Sequence, residues 1–287
     1  MTEQLDIQWG ISTLGCHELD LRSICELAAR HGVHHLEIRS LADCLNLADY
    51  LDTTYPDDPD AVNQILGTHN QSIIALNSGF TLIDANEQAR NELLGFARWA
   101  ERLKVPFIRV FGGSSMNAPL SRSEVISAVA SLTWWHAVRE ENGWTTRIAL
   151  ETHHGFSSGA RCLELQEAFG NPLDVIWDTH HTWKLGAESA RQTWAQISHM
   201  VRHLHIKDSI PVPSARHEYS YVLPGKGDFP ATDVFTVLAE NSFKGVVSLE
   251  WERKWHPYMT DLDEALTELS RSGWMAGSPL QPVIEQP

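Results

Sequence analysis

What most restricts the fold of this chain is a rhythm. Eight strand-length apolar runs alternate with segments whose apolar residues recur at helical spacing. Residues 7–12 form the first run; Leu21, Ile24, Leu27 and Ala28 then stripe a helix over 19–31, which Gly32 stops. Runs follow at 35–39, 73–77 and 107–111. The second run leads through the turn-rich Tyr55-Pro56-Asp57-Asp58-Pro59 into a helix at 61–70. A long helix at 86–104 carries Leu93, Phe96, Ala97, Ala100 and Leu103 on one face, and Ser121 with Glu124 three residues later is a capping-box start for the next. The last four runs lie at 148–151, 175–178, 201–208 and 246–250. Their helices fall at 162–169, 189–199, 231–240 and 261–270, the last introduced by Thr260 with Asp263. Strands alternating with helices make a parallel sheet, and eight such units in 287 residues close into a (β/α)8 barrel, the TIM-barrel form of α/β architecture. No linker or shift of composition marks a second domain. Residues 1–287 read as a single domain, with a loose tail at 278–287.

The last four runs also share a design. Ile148-Ala149-Leu150 closes on Glu151-Thr152-His153-His154, Val175-Ile176-Trp177 on Asp178-Thr179-His180-His181, and Val246-Val247-Ser248-Leu249 on Glu250-Trp251-Glu252. The seventh run carries His203, His205, Lys207 and Asp208 within it. Side chains alternate between the inside and outside of a barrel, and all strand C-termini open on one face. Inward Glu151 sends Ile148 and Leu150 to the helices, and inward Asp178 does the same for Val175 and Trp177. Inward His205 leaves Leu204 and Ile206 outside; inward Glu250 leaves Val247 and Leu249 outside. All four strands agree: the apolar pair goes to the helix layer and the ionisable group to the barrel mouth.

Three carboxylates confined in one partly buried mouth repel one another and lose hydration, so the arrangement calls for a cation. Three oxygen donors with one imidazole suit a divalent metal ion. Mn²⁺ is the leading expectation, with Mg²⁺, Co²⁺ and Zn²⁺ also suited, and the soft ligands of copper or iron–sulfur sites are missing. Cys16, Cys25, Cys44 and Cys162 are widely spaced without a C-x-x-C pair and read as packed thiols. A net charge of −15 argues against nucleic acid as a partner. Met1-Thr2-Glu3-Gln4-Leu5-Asp6 has neither a basic leader nor an apolar core, and no run approaches the roughly 18 residues of a membrane span. A cytoplasmic protein without a membrane partner is expected.

Taken in order, Glu-x-His at Glu151 and His153, Asp-x-x-His at Asp178 and His181, His-x-Lys-Asp at His205, Lys207 and Asp208, the Gly225-Lys226-Gly227 loop and Glu250 resemble the xylose isomerase-like TIM-barrel superfamily. That group includes ketose 3-epimerases, hydroxypyruvate isomerases, inosose dehydratases and endonuclease IV. The likeness covers nearly the whole chain as a pattern of units and the second half as motifs. It implies that Glu151, Asp178, His205 and Glu250 are the metal ligands and that the two glutamates double as acid and base. It also implies that the barrel can assemble as a homo-oligomer.

Moving a proton between carbons beside a carbonyl needs a base, a polarised carbonyl and a group that returns the proton. Glu151 and Glu250, held on opposite sides of a cation, can take and return it on a sugar or polyol. His181, one turn past Asp178, and His153, sharing the parity of Glu151, are candidates for holding substrate oxygens. Glu37, Arg109, Lys207 and Arg216 are further substrate-binding candidates, with Arg39 beside them. The family's epimerases tend to carry an arginine soon after the strand-seven histidine; here Ile210-Pro211-Val212-Pro213 intervenes before Arg216. The leading expectation is a metal-dependent isomerase or epimerase working through an enediolate. A dehydratase of an inosose or dehydroshikimate-like keto-polyol would use the same groups. A phosphodiesterase on abasic DNA is disfavoured by the acidic charge and, by the same resemblance, by Asp228-Phe229-Pro230, which stand where the endonuclease relatives carry another histidine. A silent sugar-binding barrel is the fourth reading. Blander roles compete for single residues: His154, His180 and His203 read as structural, Glu37 equally as a solvent-facing loop residue, and Lys207 with Asp208 equally as a strand-end ion pair. One or more of Trp9, Trp183 and Trp255 could wall a sugar pocket.

Overall fold

The computed structural model describes residues 7–114 and 120–277. Eight parallel strands close in chain order: β1 (Gln8–Ser12), β2 (His35–Ile38), β3 (Ser72–Thr81), β4 (Phe107–Phe111), β5 (Arg147–Glu151), β6 (Asp174–Asp178), β7 (Val201–Ile206) and β10 (Val246–Leu249), which returns to β1. Between the last two lies an antiparallel hairpin, β8 (Asp208–Ile210) with β9 (Ser220–Val222). The chain is thus a single-domain (β/α)8 barrel. The tail expected at 278–287 lies outside the described residues.

Local chemistry sets the joints between strands and helices. Asp20, Asn86 and Ser121 each accept a backbone N–H of the helix they open, Ser121 within the expected capping box with Glu124. The connection after β2 differs from the single helix expected at 61–70. It holds two helices, Leu47–Thr54 capped by Asn46 and Pro59–Thr68 capped by Asp58, because the proline at the first helical position starts a helix instead of only marking a turn. The last helix starts from Asp261, whose carboxylate takes the N–H of Glu264, and not from Thr260.

The seventh run, expected as one strand through 208, breaks at Lys207. Asp208 turns its carboxylate onto the loop after the hairpin and accepts the backbone N–H groups of Ser209, Gly225, Gly227 and Phe229. That grip explains the glycines. Gly225 has φ of +79°, and a Cβ on Gly227 would stand 2.3 Å from Asp208 Oδ1 and 2.4 Å from Ser209 O. Gly227→Ala is therefore expected to lower stability by about 1–3 kcal/mol, since backbone must move to admit the methyl group. Thermal unfolding beside the unsubstituted protein reads this; an unchanged midpoint would show that the loop yields freely.

Strand parity sorts the barrel into two environments. Ile148, Leu150, Val175, Trp177, Leu204, Ile206, Val247 and Leu249 all join the apolar layer between strands and helices, whereas Ala149 and Ile176, equally buried, stand apart from it. TIM-barrel interiors are usually filled with branched apolar side chains. This one buries Glu37, Asn77, Arg109, His203, His205 and Ser248. Small residues in register make the room: Ala75 beside Glu37, Ala149 beside Arg109 and Gly10 beside Ser248. Buried polar groups need partners. Where those partners run short, the barrel has its site.

Candidate metal centre

Glu151 ends β5, Asp178 ends β6, His205 lies on β7 and Glu250 follows β10. Asp178 is in register with His205, and His205 with Ser248, two residues short of Glu250. One potential ligand atom from each of the four lies within 4.8 Å of the others, and all four residues are buried.

Asp178 is oriented by the helix that follows it. Its Oδ1 accepts the His181 N–H at 2.8 Å, capping the short helix Thr179–Lys184, and its Oδ2 stands 3.0 Å from His181 Nδ1. The Asp-x-x-His spacing is that of an N-cap, so the first turn folds the imidazole back over the carboxylate. Burial opposes charge on Asp178, but His181 and Lys207 hold its carboxyl below the usual range. His205 is anchored from behind: its Nε2 lies 2.8 Å from Glu37 Oε2. The same oxygen accepts from Asn77 Nδ2 at 3.1 Å and lies 3.1 Å from His203 Nε2. Although burial works against it, His205 and His203 keep the Glu37 carboxyl well below its usual range. An anionic Glu37 holds a proton on His205 Nε2 and turns Nδ1 toward Glu250 Oε2 at 3.3 Å and Glu151 Oε1 at 3.7 Å.

Two cations serve this acidic cluster. Lys207 is fully buried, with Nζ 2.8 Å from Asp178 Oδ2, 2.5 Å from Glu250 Oε2 and 2.7 Å from Glu252 Oε1. Burial disfavours the ammonium, yet Asp178, Glu250 and Glu252 raise its pKa well above the usual value. The strand-end pair with Asp208 does not form, because Lys207 turns inward and Asp208 holds backbone N–H groups. Arg109 Nε approaches Glu151 Oε2 to 3.2 Å. Even so, among the described residues Glu151 Oε2, Asp178 Oδ2 and His205 Nδ1 remain buried without a hydrogen-bond partner; the Lys207 and Arg109 approaches to the two carboxylates are close in distance but misaligned. Such unpaired atoms, in a set of three carboxylates and one imidazole, fit a divalent cation.

A cavity of about 360 Å³ opens on the cluster. Of the residues singled out in the sequence, Glu151, Glu250, Arg39, Arg109, His153, Arg216 and also His154, expected to be structural, line it. Asp178, His205, His181, Glu37 and Lys207 are absent from its wall. For Glu37 and Lys207 this departs from the expected contact with substrate: one is spent on His205 and the other on carboxylates. His181, expected to hold a substrate oxygen, is likewise off the wall: it packs edge-on against His153, ring centroids 4.5 Å apart, with Nδ1 3.0 Å from Asp178 Oδ2. Of the three tryptophans considered, Trp255 lines the cavity, while Trp9 packs on Phe235 and Trp183 on Phe229. His180 is structural: its Nε2 lies 2.8 Å from Ser209 Oγ, among Tyr219, Tyr221 and Phe229. Sequence reasoning missed Glu252, His217 and His256 on the wall. Glu252 was readable, having the parity of Glu250; the two histidines come from loops that no periodicity describes.

The sequence profile of the family described as xylose isomerase-like TIM barrel matches residues 25–272. The chain belongs to that family. Among solved structures it is similar to the IOLI protein with a binding zinc atom, at 20% identity over 95% of this chain and 98% of that one, with a TM-score of 0.75. The probable 3-DHS dehydratase AsbF, involved in petrobactin synthesis in Bacillus anthracis, is 18% identical over 92% of this chain and 99% of that one, with a TM-score of 0.74. An L-ribulose 3-epimerase is 15% identical over 94% of each chain, with a TM-score of 0.71. At such identities the likeness is one of fold. No curated protein sequence matches the chain. Among the described residues, no helix is long and apolar enough to cross a membrane.

Proposed function

We propose that this family member is a divalent-metal-dependent sugar isomerase or epimerase, moving a proton beside the carbonyl of a ketose or related polyol through an enediolate. The observation that carries the reading is the convergence of Glu151, Asp178, His205 and Glu250 on one buried point with acceptor atoms left unpaired. Those four residues would hold the ion, Mn²⁺ before Mg²⁺, Co²⁺ or Zn²⁺. Once bound, it supplies positive charge that polarises a carbonyl and offsets the negative charge that grows on its oxygen.

The protein's own groups do the rest. Glu151 reaches the cavity from β5 and Glu250 from beyond β10, so the two carboxylates meet a bound sugar from different sectors of the mouth. One removes the proton from the carbon beside the carbonyl, and the other returns a proton to the neighbouring carbon or the opposite face. Glu250 suits the base role. Burial opposes its charge, but His205 and Lys207 keep its carboxyl well below the usual range, so it is ionised at neutral pH. His153 is kept neutral by burial and by His181 beside it, and can hydrogen-bond a substrate oxygen without adding charge. The zinc in the similar IOLI structure and the sugar named for the similar epimerase support the ion and the substrate class.

The test is proton exchange: Mn²⁺-loaded protein in D₂O with a panel of ketoses, ketose phosphates and inososes, followed by NMR. Deuterium entering beside the carbonyl of a rearranged sugar is expected. No exchange with any member of the panel would overturn the reading. A dehydratase is the second reading, favoured by His153, a neutral imidazole on the wall that can hydrogen-bond a departing hydroxyl. Deuterium entry with loss of water and new enone absorbance would select it.

The link from Glu37 to His205 carries its own prediction. Glu37→Gln is expected to weaken metal binding about 10–100-fold, because an amide no longer enforces the orientation of the imidazole. Calorimetric titration of Mn²⁺ into metal-free protein measures it. Unaltered affinity would remove Glu37 from the support of the centre.

A further inference from the structure

One sector of the cavity wall carries more positive charge than the protein uses. Arg39, just past β2, and Arg109, on β4, both line the cavity on either side of β3. Arg109 is 1% exposed, and among the described residues its Nε and Nη1 are buried with no hydrogen-bond partner despite the nearness of Glu151. Its guanidinium lies over the Phe111 ring, 3.9 Å from the centroid, which fixes its plane. Arg39 is half-buried, and among the described residues only its backbone is engaged, through the N–H donated to Thr13 Oγ1 at 2.9 Å. The two guanidiniums sense each other: burial, then the charge of Arg109, brings the Arg39 pKa down to about 10. Lys207 is different, since its ammonium is spent on three carboxylates.

Two planar forks, largely withdrawn from water, repelling each other and aimed at a shared space, make a receptor for an oxyanion. Glu151, Glu250 and Glu252 on the remaining wall oppose a second negative charge, and Lys207 together with a divalent ion would offset them. Arg109 Nε lies only 3.2 Å from Glu151 Oε2, so anion-binding donors and a proton-transfer carboxylate are neighbours. A cavity of about 360 Å³ spans both with one molecule of monosaccharide size.

We propose that the β2–β4 sector is an anion subsite and that the substrate is an acidic keto-polyol, whose carboxylate or phosphate is held by Arg39 and Arg109 while its carbonyl end meets Glu151 and Glu250. The carbonyl half of this statement rests on the proton-transfer reading above; the anion half does not. A neutral sugar would take water from Arg39 without giving it or Arg109 an anion, and is expected to bind at least about 100-fold more weakly.

The test compares binding of D-fructose, fructose 6-phosphate, D-gluconate and inorganic phosphate by calorimetry, with metal-free and Mn²⁺-loaded protein. Arg39→Met is the principal variant, because its partly exposed position makes it tolerable to the fold; Arg109→Lys, which keeps charge but loses the fork, is the second. The inference expects a charged ligand to bind at least about 100-fold tighter than D-fructose, and Arg39→Met to erase at least about tenfold of that preference while thermal midpoint and Mn²⁺ affinity stay unchanged. Preference for gluconate or for the phosphates identifies which anion the site takes. Equal affinity for charged and neutral sugars, or a preference that survives in both variants, overturns the subsite. Anion binding without deuterium exchange by the loaded protein would sink the proton-transfer reading and keep the subsite; exchange on neutral ketoses alone would do the reverse.

Discussion

Glu151→Gln is expected to lower turnover about 10³-fold or more and to weaken divalent-metal binding in the same protein. Glu151 is the group where the two proposed duties meet. It ends β5, lines the cavity, is 1% exposed and leaves Oε2 without a hydrogen-bond partner. The amide keeps the shape and one oxygen but loses the charge and the ability to accept a proton, so binding and chemistry fall together. It also strips Arg109 of its nearest carboxylate, Glu151 Oε2 at 3.2 Å. Glu250→Gln should lose as much turnover, and it further unbalances Lys207, which lies 2.5 Å from Glu250 Oε2. Deuterium-exchange rates and Mn²⁺ titrations on both variants separate the duties. Full exchange activity in Glu151→Gln would remove that carboxylate from the mechanism, whatever happened to the metal.

Lys207→Met is expected to have the largest effect on stability. Its ammonium is the internal counter-charge to Asp178, Glu250 and Glu252, and removing one partner of a buried ion cluster leaves the others uncompensated, at about 3–5 kcal/mol. For a chain of this size that corresponds to a fall of roughly 10 °C in the midpoint of metal-free protein. A saturating divalent ion should restore much of it, because the ion supplies the missing positive charge at the same carboxylates. The sign with pH follows from the raised Lys207 pKa: its contribution is complete below the unfolded value and is lost only as pH rises through the folded one. The deficit should therefore be undiminished across neutral pH. Melting curves with chelator and with Mn²⁺ check this; a midpoint that metal fails to raise in Lys207→Met would show that the carboxylates are not a cation site.

The strand-helix rhythm and the inward or outward sense of each strand were legible because both are properties of a few consecutive residues. Alternation along a strand assigned Leu204 and Ile206 to the helix layer and His205 to the interior without reference to any neighbour. The Asp-x-x-His spacing was visible as a motif, but that Asp178 caps the helix carrying His181 came only with the structure. Even the break at Lys207 had a local trace in Gly225 and Gly227, although nothing in the sequence says that Asp208 is what those glycines fold onto.

By itself, then, the sequence determined the barrel, the side of each strand its residues occupy, and the convergence of four ionisable groups at one mouth, because period and parity are short-range. Only the tertiary structure decided what each charge is spent on. Glu37 and Lys207 looked like substrate contacts until the barrel placed Glu37 behind His205 and Lys207 among three carboxylates. Arg39 and Arg109, 70 residues apart in the chain, share one cavity wall, where among the described residues Arg109 meets Glu151 and Arg39 pairs with no carboxylate. Coulomb interaction depends on distance through space and on burial, and neither can be counted along a chain.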